Sequence, residues 1–401
     1  MTGVASGVAA PYRRLFAEPV LRRLAVADVC ARLPQGMTSL TLLLVAAQHA
    51  PMAVAGLVLA GYTLGAAATA PVRGRLADRR GLFPVAAVCA AGYTLALLGL
   101  LACSLARAPA GLLVAAAAAA GLLTPPLSPG VRSLWGVQAG AGLRQAAFAF
   151  DAAVYDLCYL LGPVLASALA AGLVPAAALG LVLVLTAAAV AAVHGRSGPD
   201  RASRADRDGS LWGPLRAPAL RRLLVTAAFT NAALAATEVA LTAYARDHHA
   251  LWASGPLLAG VAAGSIMGSL LLGARAIGDG TRRLPRLLAG YTVGLAVLTA
   301  AGLYPPLLGV AAPLAGLCLG PALATLFSAT ASAAPHGSGT EAQAWINSIM
   351  NGGAAAGAAL ASLAASSPLL GLSLAAATAL AAAVTAALTN ANPPTPGPGQ
   401  P

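Results

Sequence analysis

The stretch Gly74-Arg75-Leu76-Ala77-Asp78-Arg79-Arg80-Gly81 is a short, charged segment between two long apolar segments of the chain. Its density of charge is unusual, because only 9% of the 401 residues are charged. The glycines at its two ends allow a pair of helices to turn tightly, and its arginines favour one side of a membrane. Asp78 is the single acid of the stretch, and we expect it to have a specific partner.

The composition is typical of a membrane protein. The chain is 59% hydrophobic, and its mean hydropathy is +0.79. Apolar runs recur along it, each close to the roughly 20 residues that a helix needs to cross a bilayer. The runs are continuous and lack the alternation of a membrane β-barrel. We therefore predict an all-α membrane protein with twelve transmembrane helices in a lipid bilayer.

Membrane topology explains the positions of the basic residues better than nucleic-acid binding does. The net charge of +12 comes entirely from arginine, and the arginines lie in loops beside apolar runs. With twelve helices and a cytoplasmic N-terminus, only Arg107 and Arg246 fall on the outer side, and Arg32 lies within the first helix. This positive-inside bias predicts a multi-pass protein of the cell membrane with both termini in the cytoplasm.

Repeats divide the chain into two similar halves. Leu21-Arg22-Arg23-Leu24 opens the first predicted helix, and Leu220-Arg221-Arg222-Leu223 opens the seventh. We predict two pseudo-symmetric six-helix bundles with a cavity between them. The predicted segments are a disordered cytoplasmic N-terminus at 1–20, an N-terminal bundle at 21–194, a cytoplasmic linker at 195–219, a C-terminal bundle at 220–389 and a disordered Pro/Gly-rich tail at 390–401.

The charged turn resembles the signature of the major facilitator superfamily, which lies between the second and third helices of its members. That signature has the form Gly-x-Leu-Ala-Asp-Arg-x-Gly-Arg-Arg. The matching residues here are Gly74, Leu76, Ala77, Asp78, Arg79 and Gly81, whereas Leu82 and Phe83 replace the last two basic residues. The resemblance covers essentially the whole membrane portion, and it implies a transporter in which Gly74, Asp78, Arg79 and Gly81 form a conformational switch.

The expected partner of Asp78 lies in the other half of the chain. Helix 11 should begin on the same side of the membrane, with Ser338 and Glu341 forming a capping box. A helix N-terminus offers free backbone N–H groups and favours an anion. We therefore predict that Asp78 contacts residues 340–342, and that this contact closes the inner side of the cavity.

Gly162-Pro163 in helix 5 carries a second resemblance. Exporters of the drug–proton antiporter type have Gly-Pro-x-x-Gly-Gly at this place, whereas here the last pair is Ala166-Ser167. The resemblance implies proton-coupled export. The alternative interpretation is a helix kink at a helix–helix interface.

Charged and polar residues inside the predicted helices are candidates for substrate binding or proton coupling, because such groups are costly to bury in a membrane. Asp28 and Arg32 are four residues apart on helix 1 and form either a structural pair or a binding site. Asp156 forms either a proton site or a salt bridge to Arg132 or Arg144, and for Asp151 we favour that salt bridge. The remaining candidates are Asn231, at a depth matching Arg32, and Glu238 further out on the same helix.

The predicted function is secondary active transport: proton-coupled export of a small organic molecule by alternating access, carried out by a monomer. We expect no cofactor, because the five cysteines are scattered and a chain without lysine cannot contain a Gly-x-x-x-x-Gly-Lys nucleotide loop. No metal site, catalytic set or nucleic-acid partner is predicted, and the protein is not expected to be an enzyme. The alternatives are a proton-coupled uptake symporter for a sugar or organic anion, and a membrane receptor or scaffold that transports nothing.

Overall fold

The computed structural model describes residues 2–194, 214–250, 253–273, 280–335, 337–364 and 367–391. Over these ranges it consists of α-helices, short 3₁₀ turns and connecting segments. The helices are α1 (Thr2–Ala17), α2 (Pro19–Ala47), α3 (Met52–Arg80), α4 (Leu82–Leu105), α5 (Ala110–Leu122), α6 (Leu127–Gln138), α7 (Gly140–Gly172), α8 (Pro175–Ala192), α9 (Pro218–Asp247), α10 (Ser254–Gly273), α11 (Gly280–Ala301), α12 (Leu308–Gly316), α13 (Leu319–Ala333), α14 (Gly339–Leu363) and α15 (Pro368–Ala391).

Eleven helical segments within the described ranges are long and apolar enough to cross a membrane. They support the predicted class, an all-helical multi-pass membrane protein. Two of these spans are interrupted: α5 and α6 together cover Ala110–Gln138, and the segment Pro305–Ala333 contains α12 and α13. Helix α14 is not among the eleven; it contains Glu341, Gln343 and two asparagines.

Two groups of helices have separate apolar cores. In the first group, α2 to α8, buried side chains form one cluster around Leu24 and Trp135 and another around Met37 and Leu97. In the second group, α9 to α15, they form a single cluster that also takes in Phe148 of α7. We call the two groups the first and second halves. The end of the bundle that carries the turn between α3 and α4 is called the basic end.

Prolines lie inside several helices and interrupt one span; a proline lacks a backbone N–H and clashes with the preceding turn of a helix. Pro34, Pro71 and Pro163 lie inside α2, α3 and α7. Pro125 and Pro126 separate α5 from α6. Each proline inside a helix frees a backbone carbonyl that other side chains can bind.

The N-terminal region differs from the predicted disorder of residues 1–20. Thr2–Ala17 form helix α1, in which Leu15 is buried, Phe16 packs edge-on against Phe150 of α7, and the Tyr12 hydroxyl donates to the Leu270 carbonyl at 3.1 Å. Their spacing of three and four residues places these side chains on one helical face. That face packs against the membrane helices α7 and α10, which the N-terminal sequence alone does not reveal.

The predicted linker and tail lie mostly outside the described residues. The linker prediction falls on 195–213, beyond which the chain continues with a 3₁₀ turn at Pro214–Arg216 and then α9. The tail prediction falls largely on 392–401, and α15 continues to Ala391.

Candidate functional site

Asp78 contacts the N-terminus of α14, as predicted from the sequence. The Asp78 carboxylate accepts hydrogen bonds from the backbone N–H groups of Thr340, at 3.0 Å, and Glu341, at 2.8 Å. Only 5% of Asp78 is exposed. The predicted capping box does not form, because the Ser338 hydroxyl donates to the Pro335 carbonyl instead. A carboxylate from the first half thus caps a helix of the second half.

Gly74 allows α3 and α14 to approach closely at this contact. A Cβ atom at Gly74 would lie 2.9 Å from the Thr340 carbonyl oxygen and 2.9 Å from the Ala344 side chain. The motif residue Gly81 has φ +99°, a conformation in which a side chain would be strained, and it ends α3. Arg79 is exposed at the basic end.

Two aspartates and two arginines form a buried charge cluster inside the first half. Arg32 donates from Nε to Asp28 at 2.7 Å and from Nη2 to Asp151, and Arg132 donates from Nε to the other oxygen of Asp151 at 2.9 Å. All four side chains are at most 1% exposed. The Trp135 indole donates to Asp28 at 3.3 Å. We call Asp28, Arg32, Arg132 and Asp151 the charge cluster.

The four residues of the charge cluster are paired with one another in this conformation. The two negative and two positive charges balance, and each carboxylate is bound by arginine, which offsets much of the cost of burying them. The prediction that Asp151 pairs with Arg132 is confirmed. Arg32 does not line the central cavity; it lies behind Tyr155, whose ring centroid is 5.7 Å from its guanidinium carbon.

Arg132 also connects the charge cluster to the second half. Its Nη1 donates to the Asn347 side-chain oxygen of α14 at 3.1 Å, and its guanidinium carbon lies 3.4 Å from the ring centroid of Phe327 in α13. Gln343, one turn before Asn347, donates to the Phe327 carbonyl at 3.0 Å. Gln343 and Asn347 of α14 therefore make hydrogen bonds to neighbouring helices.

A central cavity lies between the halves and consists of two adjoining chambers. The chamber nearer the basic end has a volume of about 300 Å³, and the other has about 560 Å³. They share the residues Tyr155, Tyr159, Asn351 and Ala354. The two tyrosine rings are 4.5 Å apart and form the wall between the chambers. We call them the basic-end chamber and the far chamber.

Three of the predicted coupling residues line the far chamber together: Asp156, Asn231 and Glu238. Asp156 of α7 accepts a hydrogen bond from the Ser265 hydroxyl of α10, across the two halves. The Asn231 amide donates to the Met350 carbonyl at 2.8 Å, and its side-chain oxygen has no partner. Among the described residues, no ion pair involves Asp156 or Glu238.

Gly162 and Pro163 have separate positions. A Cβ atom at Gly162 would lie 2.5 Å from the Gly36 carbonyl carbon, so this glycine allows α7 to pack directly on α2. Pro163 lines the far chamber. Helix α7 continues through both residues to Gly172. This geometry is that of a helix–helix interface, which is one of the two interpretations of the motif.

One cavity residue, Arg73, is absent from the candidates that the sequence suggests. The sequence places it beside the charged turn, but α3 continues to Arg80, so Arg73 lies two helical turns, or about 10 Å, inside the helix end. Its side chain lines the basic-end chamber. The available signal is Pro71, which predicts a bend in α3 just before Arg73.

Within the described residues, no group of three or more His, Cys, Asp or Glu side chains is arranged to hold a metal ion.

Two helical halves that meet around a central cavity are an architecture found in membrane transporters. A family model described as the Major Facilitator Superfamily matches residues 24–358. The chain belongs to the Major Facilitator Superfamily. No curated protein matches the chain in sequence.

Several solved transporter structures share this fold at low sequence identity. A bacterial homologue of the iron transporter ferroportin in an outward-facing state aligns with a TM-score of 0.76 at 15% identity, covering 94% of this chain and 100% of the other. The human organic anion transporter MFSD10 aligns at 0.70 and 16%, covering 92% and 100%. The E. coli fucose:proton symporter FucP aligns at 0.71 and 12%, covering 92% and 98%. Family and fold indicate a transporter rather than an enzyme.

Proposed function

We propose that this protein is a secondary active transporter that exports a small organic molecule in exchange for protons. The observation that carries this proposal is the pair of carboxyl groups, Asp156 and Glu238, which line one cavity chamber without an arginine partner among the described residues. Asp28 and Asp151, by contrast, are each in an ion pair with arginine. A carboxyl group in an apolar site with no cation beside it is suited to take up and release a proton.

Alternating access would operate by rocking the two halves around the cavity. Hydrogen bonds between the halves are concentrated at the basic end and at mid-depth: Asp78 with α14, Arg144 with Ser332 at 3.0 Å, and Asp156 with Ser265. This is the pattern of a state closed at the basic end. In our proposal that end is cytoplasmic, as the arginine distribution predicts, and Asp78 is released when the halves rock.

Helix α14 is the twelfth transmembrane span in this proposal. It is long enough to cross, and its polar residues face protein partners rather than lipid, since Gln343 and Asn347 bond to Phe327 and Arg132. Polar groups are tolerated inside a membrane when they are bonded in this way. Two six-helix bundles then follow if the α5–α6 pair and the α12–α13 pair are each counted as one interrupted span.

The charge cluster has a mechanical role in this proposal rather than a substrate-binding one. Arg132 bonds to Asp151 in the first half and to Asn347 in the second. Protonation or movement of Asp151 would therefore change the contact that Arg132 makes with the second half. Asp28 and Arg32 hold the cluster neutral behind the cavity wall.

The test uses purified protein reconstituted as a monomer in vesicles with an imposed pH gradient. Substrate-dependent proton movement is followed with a trapped pH-sensitive dye across a panel of small organic molecules. We expect Asp156→Asn and Glu238→Gln to abolish proton movement, and the control Asp247→Asn, which changes an exposed residue at the end of α9, to retain it.

Other results would favour another function. Proton-driven accumulation in right-side-out vesicles would identify uptake symport instead of export. Absence of substrate-dependent proton movement for the wild-type protein across the whole panel would favour a receptor or scaffold.

A further inference from the structure

Arg73 is a buried cation at the wall of the basic-end chamber. Only 9% of its side chain is exposed, and it reaches the chamber from α3, two turns before that helix ends. No ion pair involves Arg73 in the ranges that the structure describes. A buried guanidinium without a carboxylate is unusual, because burying an unpaired charge is costly.

The hydrogen bonds of Arg73 leave most of its donors unused. Its Nη2 donates to the Ala66 carbonyl at 2.7 Å, and its Nε has no partner. Nearby on the same helix, the missing N–H of Pro71 frees the carbonyl of Ala67, one turn earlier. Ser348 of α14 occupies that carbonyl at 3.4 Å. Guanidinium has five N–H donors, so Arg73 can bind a further acceptor from the cavity.

The surroundings of Arg73 suit the polar end of a ligand. Hydroxyl and amide side chains from both halves line the same chamber, namely Gln35, Thr63, Thr124, Asn347 and Ser348. The nearest acid on the same helix, Asp78, is bonded to α14. The cavity carboxyl groups Asp156 and Glu238 belong to the far chamber. The basic-end chamber is therefore lined by a basic side chain, and the far chamber is lined by acidic ones.

We propose that Arg73 binds the anionic group of the transported molecule, a carboxylate or a phosphate. This inference rests on the proposed transport function and specifies its substrate class as a small organic anion or zwitterion. A planar guanidinium binds either group with two parallel hydrogen bonds. Arg32, which the sequence suggests for this role, is occupied by Asp28 and Asp151. Arg73, by contrast, has donors that remain available to the cavity.

The test measures binding to the full chain in detergent by calorimetry, so that it does not depend on transport. The probes are benzoate, succinate and glycerol 3-phosphate, each compared with its neutral counterpart: benzamide, succinamide and glycerol. We expect at least one anion to bind and its neutral counterpart to bind at least about tenfold more weakly, a difference of roughly 1.4 kcal/mol. The carboxylate and phosphate arms distinguish the two headgroups.

Variants then test the residue itself. Arg73→Gln should weaken anion binding by about tenfold or more, which is the usual scale for a lost charge-assisted hydrogen bond, and Arg73→Lys should retain part of it. The matched control is Arg80→Gln, which removes an exposed arginine from the same helix and should leave the affinity unchanged. As a measurement on the wild-type protein, saturating anion should protect Arg73 from phenylglyoxal, read by peptide mass spectrometry.

Two outcomes would overturn the inference: no anion of the panel binding more tightly than its neutral counterpart, or Arg73→Gln binding the anion as tightly as the wild type. Neither bears on the proposed function, which would stand if proton-coupled transport of a neutral or cationic molecule were found. Conversely, anion binding that depends on Arg73, without proton-coupled transport, would reject the proposed function and would show that Arg73 forms an anion site whose ligand is not a transported substrate.

Discussion

The carboxylate of Asp78 lies 2.8 Å from the backbone N–H of Glu341 and joins the two halves of the protein. Helix α14 has no side-chain cap of its own from Ser338. Asp78 takes over that role from another helix, and its negative charge also suits the positive end of the α14 dipole. Opening the basic end would therefore leave both the helix terminus and the aspartate without their partners.

Replacing Asp78 should destabilise the closed basic end. Loss of a helix cap costs about 1–2 kcal/mol, so Asp78→Ala should shift the population towards the state open at that end, and Asp78→Asn, which keeps one acceptor, should shift it less. Accessibility of a cysteine introduced at Ala70, which lines the basic-end chamber, measures this shift when the reagent is added from the basic side. Asp247→Asn is the control. Unchanged labelling in Asp78→Ala would show that the contact does not hold the end closed.

Gly74→Val should open the same end by a different route. A side chain at Gly74 overlaps the α14 backbone at Thr340, whereas a Cβ atom added at Gly56 of the same helix would meet nothing within 4 Å. We expect Gly74→Val to raise labelling at Ala70→Cys and Gly56→Val to leave it at the wild-type level. Equal labelling in both variants would mean that α3 and α14 can separate slightly at no cost to closure.

Asp151→Ala should destabilise the folded protein more than the removal of an exposed charge. It would leave Arg32 and Arg132 buried with one carboxylate between them, and breaking a buried pair costs about 3–5 kcal/mol. Thermal unfolding in detergent should show a large drop in midpoint. Asp247→Ala is the control, because its pair with Arg246 is exposed and exposed pairs are worth at most about 1 kcal/mol. Similar midpoints for the two variants would contradict a structural role for the charge cluster.

Gly162→Ala should separate α7 from α2. Its Cβ would lie 2.5 Å from the Gly36 carbonyl carbon, which is backbone and cannot move aside as a side chain would. Overpacking of this kind costs about 1–3 kcal/mol, and it should appear as a lower unfolding midpoint. Gly172→Ala, at the open end of the same helix, should not lower the midpoint. If Gly162→Ala instead kept its stability and lost only proton coupling, the antiporter interpretation of the motif would gain support.

Local patterns in the sequence are sufficient for several parts of the site. The Asp28–Arg32 pair follows from a spacing of four residues on one helix, and the contact of Asp78 with α14 follows from helix polarity and the side of the membrane on which each element begins. The wider charge cluster is only partly predictable. Arg32 and Asp151 are 119 positions apart, and nothing in their local sequence shows that Arg32 and Arg132 bind the two oxygen atoms of one carboxylate.

Arg73 and α14 are two features that the local sequence does not reveal. Three other arginines follow Arg73 closely and indicate a loop, whereas helix α3 continues past Pro71 to Arg80 and the Arg73 side chain lines the cavity. Helix α14 is not among the apolar spans, although its polar residues Gln343 and Asn347 bind neighbouring helices. In both cases the deciding information is the identity of the packing partner.

The charged stretch that the sequence indicated as a turn is instead the last part of α3, which continues to Arg80. The sequence by itself determined the class of the protein and its apolar helical segments. It could do so because hydropathy over about 20 residues and the bias of basic residues are local properties with a large free energy in a membrane. Only the tertiary structure decided which charges neutralise one another and which face the cavity. That outcome depends on distances of a few ångströms between helices that are far apart in the chain. A difference of this size decides whether an arginine belongs to a buried ion pair or can donate to a ligand.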